Sequence, residues 1–296
     1  GFGGTPAEVD EFAKLTRAEA ADRLINFEAV DNSALNARLA TLNLELNDYG
    51  NGLVGDMQRW WLTRMVYTAR PLEERMTYIW HGLLTSQLSK VGNQKAKLMV
   101  KQNELFRANA LPKYDTLIKA VSRDPAMLMY LDAVDSTREH PNENYARELF
   151  ELFCMGVDNG YDQNDIVAMS RAWTGWTVNI VDPQNVNDPF APQATTRGLY
   201  PGNAFNQVSN LVGVWTFSFN GSWHGTNRAR ILSTWSDASP PGNPIATGPK
   251  IYPARFGAPW AGTSYQLTIP RRTGNAGIDD GYDVLRHLAD LAFTQE

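Results

Sequence analysis

A mainly α-helical fold with a loop-rich, partly β elaboration in its C-terminal third is what this 296-residue sequence predicts. Three observations carry that expectation. Apolar residues recur at helical spacing from the N-terminus to about Trp176, and several helix starts bring their own capping residues. Beyond Trp176 the composition turns to Asn, Pro, Gly, Ser, Thr and aromatic residues, with little 3.6-residue period. The organisation expected is a helical region over 1–176, a loop-rich segment over 177–281 with a hairpin near 214–223, and a C-terminal helix over 282–296.

The first two helices are announced by chemistry. Thr5-Pro6-Ala7-Glu8 and Thr16-Arg17-Ala18-Glu19 both read as capping boxes, a hydroxyl at the N-cap with a Glu at the third helical position, and the first adds Pro at its first turn. Pro71 starts a further helix with an apolar stripe of Leu72, Met76, Ile79, Trp80 and Leu83. Asp124-Pro125 starts another, bearing Met127, Leu128 and Leu131. In "NENYARELFELFCMG" Tyr145, Ala146, Leu149, Phe150, Leu152 and Phe153 share one helical face, and Asn144, Arg147, Glu148 and Glu151 the other. That helix ends at Gly156, where a left-handed residue is wanted, and Asp162 caps the next, through Ile166, Met169 and Trp173. "VWTFSFNGSW" alternates Trp215, Phe217 and Phe219 against polar residues before Asn220-Gly221, a hairpin signal.

With 43% hydrophobic residues the chain can bury a real core. A net charge of −5, without any basic block, excludes the usual nucleic-acid binder. No apolar run reaches membrane-spanning length. Cys154 is the only cysteine, so the chain has no internal disulfide and no cysteine metal cluster, and the thiol is expected to pack inside a helix. The chain starts without Met, so an export signal removed before Gly1 is compatible with it.

Candidate chemistry centres on Glu148 and Glu151, three residues apart and neighbours on a helix. Such a pair does acid/base work when burial raises one pKa and leaves the other carboxyl ionised. The simpler reading is a solvated ladder, since Glu143, Arg147 and Glu151 are four apart. His81, at the margin of an apolar face beside Thr77 and Thr85, is more often hydrogen-bonded structure than a ligand. His224 lies among polar residues after the aromatic strand, His140-Pro141 reads as a helix entry, and His287 as helix surface. Trp173 and Trp176 suit stacking on sugar rings, or a core anchor equally well. Asp158, Asp162 and Asp165 invite a calcium loop, but Met169 stands where an EF-hand places its bidentate Glu. No metal site and no cofactor is expected.

"RMTYIWHGLLTS", "DPAMLMYLD", "NENYARELFELFCMGVDNGYDQNDI" and "SRAWTGW", in that order and spacing, resemble the bacterial domain-of-unknown-function family 1800, as does the opening "GFGGTPAEVDEF". The match is specific over Gly1–Trp176 and looser in "FSFNGSWHGTNRARIL" and "GYDVLRHLADLAF". The resemblance implies a largely helical protein, an extracytoplasmic location, and genes beside a family of exported sulfatase-like proteins. It supplies no reaction. It does imply that Trp80, His81, Asn142, Glu143, Asn144, Arg147, Glu148, Glu151, Gly175, Trp176 and His224 occupy motif positions of a shared polar cleft. Two departures matter: Gly82-Leu83 stands where the family has Asn and a second His, and Gly225 replaces an Asp. Family proteins also continue beyond the last residue here, so the chain is expected to be a fragment, a processed product or a short member.

Two readings follow, from different classes. In the first, an exported protein binds or cleaves a polymer, glycan in particular, with Glu148 and Glu151 as acid and base. Arg147 and Asn144 supply donors, Trp173 and Trp176 aromatic walls, and His81 and His224 further binding groups. In the second, the protein is a non-catalytic assembly or surface component whose site has degenerated, contacting another copy of itself or an exported partner.

Overall fold

The computed structural model describes residues 2–44, 53–92, 96–157, 159–181, 214–225, 230–231, 250–252, 261–270 and 272–291. It is mainly α-helical, and by contacts the chain divides into two compact units, Gly1–Lys113 and Tyr114–Glu296. Among the described residues no helix is long and apolar enough to cross a membrane. Asp158 and most of the Asn/Pro/Gly-rich stretch lie outside the described residues.

In the first unit, α1 (Pro6–Phe12) and α2 (Arg17–Ile25) start at the two expected capping boxes. The Glu8 and Glu19 carboxylates accept the cap amides at 2.7 and 2.8 Å, so each helix entry is satisfied by residues of its own first turn. Then follow α3 (Ser33–Ala40), α4 (Leu53–Tyr67), α5 (Pro71–Leu83), α6 (Leu88–Val91) and α7 (Ala96–Ala108). Helix α7 buries Leu98, Val100 and Phe106 and packs against α4 and α5.

The face that α5 buries is not its apolar stripe. Ile79 and Leu83 are 43% and 42% exposed, whereas Glu73, Glu74 and Thr77 are buried. The cause is electrostatic: Arg64 of α4 and Arg107 of α7 both reach Glu74, so the charged residues of α5 are turned toward those helices. Periodicity counts apolar residues and cannot see a guanidinium supplied from elsewhere in the chain.

The second unit contains α8 (Tyr114–Ser122), α9 (Pro125–Tyr130), α10 (Glu143–Glu148) and α11 (Gln163–Ala172). Asp124 caps α9 by accepting the Met127 amide at 2.9 Å. Asp162 and Asp165 form a capping box at α11 and share Lys250, whose Nζ lies 2.8 and 3.1 Å from their carboxylates. Capping and an ion pair thus account for the two described aspartates of the calcium-like run.

After Glu148 the helix widens into a π-helical turn, Leu149–Cys154, and the Met155 and Gly156 amides both donate to Phe150 O, at 2.9 and 3.1 Å. Gly156, at φ +82°, terminates it in the left-handed conformation its sequence position foretold. The wider turn changes the face assignment: Leu149, Phe150 and Phe153 are buried, but Leu152, expected in the core, is 56% exposed. Cys154 is a buried free thiol. Leu149 is fully buried, so Leu149→Ala should cost about 2–5 kcal/mol, read as a lower chemical-denaturation midpoint. An unmoved midpoint would mean this face is not packed.

Strand β1 (Trp176–Val181) pairs antiparallel with β2 (Val214–Phe219), from Trp176↔Phe219 to Val181↔Val214. The strand read in "VWTFSF" is therefore present, but its partner lies upstream; Asn220-Gly221 instead turns the chain toward His224. The turn closes on Gly175, whose O accepts from the Asn220 amide at 2.8 Å and whose φ is +88°. A Cβ there would stand 2.5 Å from Asn220 O, so glycine is required. Two further antiparallel pairs are short: β3 (Arg230–Ile231) with β6 (Leu267–Thr268), and β4 (Lys250–Ile251) with β5 (Ser264–Tyr265). The last described helix, α12 (Ile278–Asp290), packs on α8 and α11.

Candidate functional site

The polar side of α10 is a charged ladder built partly from α11. Arg147 lies 3.6 Å from Glu143 and 3.4 Å from Glu151, and its Nη2 donates to Gln163 Oε1 at 2.9 Å. Gln163 Nε2 donates in turn to Glu143 at 2.7 Å, which closes a three-residue ring of polar contacts, with Glu151 attached to it through Arg147. All of these side chains are partly exposed, so each ion pair contributes at most about 1 kcal/mol.

Glu148 stands apart from the ring. It is half-buried, and among the described residues its carboxylate has no hydrogen bond or ion pair. Burial first, and then the neighbouring Glu151, push its carboxyl above the usual carboxylate range, against the pull of Arg147. Asn144 does not serve the carboxylates: its Nδ2 donates to Leu131 O at 3.3 Å. Asn142, the N-cap, donates to Leu131 O and Asp132 O, so both asparagines tie the preceding loop to the start of α10.

His224 belongs to a different set of residues. It is fully buried; Nδ1 lies 2.7 Å from Thr174 O, and Nε2 3.1 Å from Asp280 Oδ2. Each ring nitrogen thus has a polar partner, the Thr174 carbonyl on one side and the Asp280 carboxylate on the other. Asp280 also accepts from Arg272 Nη1 at 2.8 Å, and Arg272 Nη2 reaches Asp283 at 2.6 Å. The Gly225 amide donates to Thr174 Oγ1 at 2.8 Å, and a Cβ on Gly277 would fall 2.0 Å from the imidazole. His224 is thus sealed between a glycine and an aspartate 56 residues away.

Trp173 and Trp176 are 1% and 0% exposed and meet edge-to-face at 4.4 Å. Tyr145, Phe217 and Tyr282 complete this aromatic core, so in this arrangement neither tryptophan offers a ring face to solvent. His81, in the first unit, is half-buried between Trp61 and Phe106, with ring centroids at 5.0 and 6.1 Å. Its buried Nδ1 has no hydrogen-bond partner among the described residues, and burial holds its pKa below the ordinary imidazole value. His287, expected on a helix surface, is half-buried with its pKa likewise lowered by burial, because α12 packs on two neighbours.

Sequence reasoning missed the most heavily paired acid of the first unit. Glu74 accepts from Arg64 Nε at 2.9 Å, from Arg107 Nε at 2.6 Å and from Arg107 Nη2 at 3.1 Å, and both guanidinium carbons lie about 5 Å from the Trp60 ring. Nothing local distinguishes Glu74 from any acid in a helix's first turn. Asp280 was missed for the same reason. Among the described residues no group of three His, Cys, Asp or Glu is arranged to hold a metal ion.

These features define a mainly helical protein that uses several motif residues as buried structure and leaves one carboxylate helix half open. The chain belongs to the family described as Protein of unknown function (DUF1800), whose model matches residues 1–244. Asp280, the partner of His224, and Arg272, which pairs with Asp280, lie beyond the matched stretch. Comparison with curated proteins and with solved structures finds no match.

Proposed function

We propose that this family member works outside the cytoplasm on a polymer, glycan being the class, through the Glu148–Glu151 face of α10. The observation that supports this most is the unequal setting of two neighbouring carboxylates. Glu151 is paired with Arg147, while Glu148 has no partner among the described residues and its proton is held more tightly by burial. A carboxyl whose proton is held more tightly than usual, beside a second carboxyl in a different setting, is the kind of asymmetry that acid/base cleavage of a glycosidic bond uses. Arg147, itself held by Gln163, pairs with the second carboxylate, and the half-exposure of the first admits a substrate.

The test combines catalysis with stability. Reducing ends released from soluble β-glucan, chitin fragments and peptidoglycan are measured for the chain and for Glu148→Gln, Glu151→Gln and Glu143→Gln. Loss of the acid should lower the rate by about 10²–10⁴-fold, with Glu143→Gln close to unchanged. No hydrolysis of any of the polymers, or an undiminished rate in Glu148→Gln, would remove the catalytic reading.

Stability should respond little. Folding raises the Glu148 pKa, so the folded chain binds this proton more tightly than the unfolded chain does. Its contribution therefore falls as pH rises from the ordinary carboxyl value through the raised one. Glu148→Gln removes that penalty and should shift stability by less than about 1 kcal/mol at neutral pH, slightly upward if at all.

A second reading, a non-catalytic assembly protein in contact with another copy or an exported partner, is favoured by one observation: Trp173, Trp176 and His224, all candidate binding residues, are spent on the core. Inactive but self-associated protein in light scattering would move that reading ahead.

A further inference from the structure

The first unit contains a cavity of about 880 Å³, lined by the segment around Phe27 at the end of α2, by Arg70 and Glu73, and by Arg107 through Leu111 at the end of α7. A smaller cavity of about 240 Å³, reached past Asn32, also takes Arg70 and Glu73 into its wall. The larger has the size of a small-molecule site.

Two adjacent glutamates of α5 are treated very differently here. Glu74 accepts three hydrogen bonds from Arg64 and Arg107. Glu73, only 8% exposed, accepts none from a side chain among the described residues, and its nearest charge is Arg70 Nη1 at 3.6 Å. Arg70 donates through Nε to Val30 O at 2.8 Å and through Nη2 to Glu28 O at 3.2 Å, which leaves Nη1 toward Glu73. Buried carboxylates normally accept hydrogen bonds, so Glu73 faces the cavity short of donors. Water fills that role in the open cavity, and a ligand that displaces it has to bring donors of its own.

The surrounding charges decide which donors. Arg70 and Arg107 line the cavity together with Glu73, so a ligand ammonium would sit beside two guanidiniums. An anion would meet Glu73 itself and Glu28 at the wall. Hydroxyl groups carry neither penalty: a diol donates to the carboxylate while its oxygens accept from arginine and from the side-chain amide of Asn26 or Asn109. We propose that this cavity binds a neutral polyhydroxylated ligand of mono- or disaccharide size, with Glu73 as its hydrogen-bond acceptor. The site is independent of the Glu148–Glu151 pair and would stand if that pair proved inert. Burial, the first cause, holds the Glu73 carboxyl above its ordinary range, opposed by Arg70 and aided by Glu74. Hydroxyl donors favour the ionised form, so binding should weaken as pH falls through that range.

The probes are glucose, N-acetylglucosamine and cellobiose, with glucosamine and glucuronate as charged controls, titrated into the full chain by calorimetry and ligand-observed NMR. At least one neutral sugar should bind saturably and more tightly than both controls. Glu73→Gln should weaken it by tenfold or more with the circular dichroism spectrum preserved. Leu111→Trp, at a half-exposed position on the wall, should weaken it similarly by filling space, and decides the matter if Glu73→Gln fails to fold. Absence of saturable neutral binding, tighter binding of a charged control, or a folded Glu73→Gln or Leu111→Trp variant that binds undiminished would each overturn the assignment.

Discussion

Glu74→Ala is expected to lower the stability of the first unit by about 3–5 kcal/mol, the scale for removing one partner of a buried ion pair. Glu74 is fully buried, and it is the common acceptor for Arg64 and Arg107, themselves largely buried. Taking the carboxylate away leaves two guanidiniums close together beside the Trp60 ring without their shared acceptor. Arg107 would keep its 2.5 Å bond to Asn103 Oδ1, which is one acceptor against a full charge. Glu74→Gln retains the shape and one acceptor oxygen, and should cost less than alanine. Urea denaturation followed by circular dichroism gives both values. A midpoint for Glu74→Ala within experimental scatter of the parent would show that this cluster is solvated in solution.

The second large effect is expected at Asp280, again about 3–5 kcal/mol for alanine. Asp280 binds His224 Nε2 on one oxygen and Arg272 Nη1 on the other, and it is as fully buried as His224. Without it, Arg272 retains Asp283, but the imidazole loses its carboxylate acceptor and has no room to turn, because Gly277 lies against the ring. The loss should therefore exceed that of Arg272→Ala, since the arginine is 22% exposed and its removal leaves a carboxylate still paired with His224. Equal losses in the two variants would mean that Arg272, not the histidine, is what Asp280 serves. Asp280 lies in α12, whose apolar side packs on α8 and α11, and Arg272 lies in the segment before it, so the helix should form in both variants and the comparison isolates the polar contacts.

How much of this was legible in advance follows from the range of each interaction. The capping boxes at Thr5 and Thr16, the caps Asp124 and Asp162, and the left-handed Gly156 were readable because each depends on residues within a few positions of itself. The mainly helical class and the family followed from the same local patterns and from ordered motifs. The Glu143–Arg147–Glu151 ladder was also legible, being four-residue spacing on one helix; its closure by Gln163 was not.

What the sequence could not order was any contact whose partner comes from another element. Glu74 finds Arg107 thirty-three residues on, and that pairing, not the apolar stripe, decides which side of α5 is buried. His224 finds Asp280 after fifty-six residues, which turns a candidate binding residue into a locked core group. The π-turn after Glu148 moves Leu152 out to solvent although its spacing fits the apolar face. Local spacing determined which helices form, because capping and backbone hydrogen bonds are settled within a turn or two. Spacing also found the buried Tyr145, Leu149 and Phe153 of one helix. Where a charge is buried, as on α5, tertiary packing decided the face instead, because a buried charge goes where its counter-charge is.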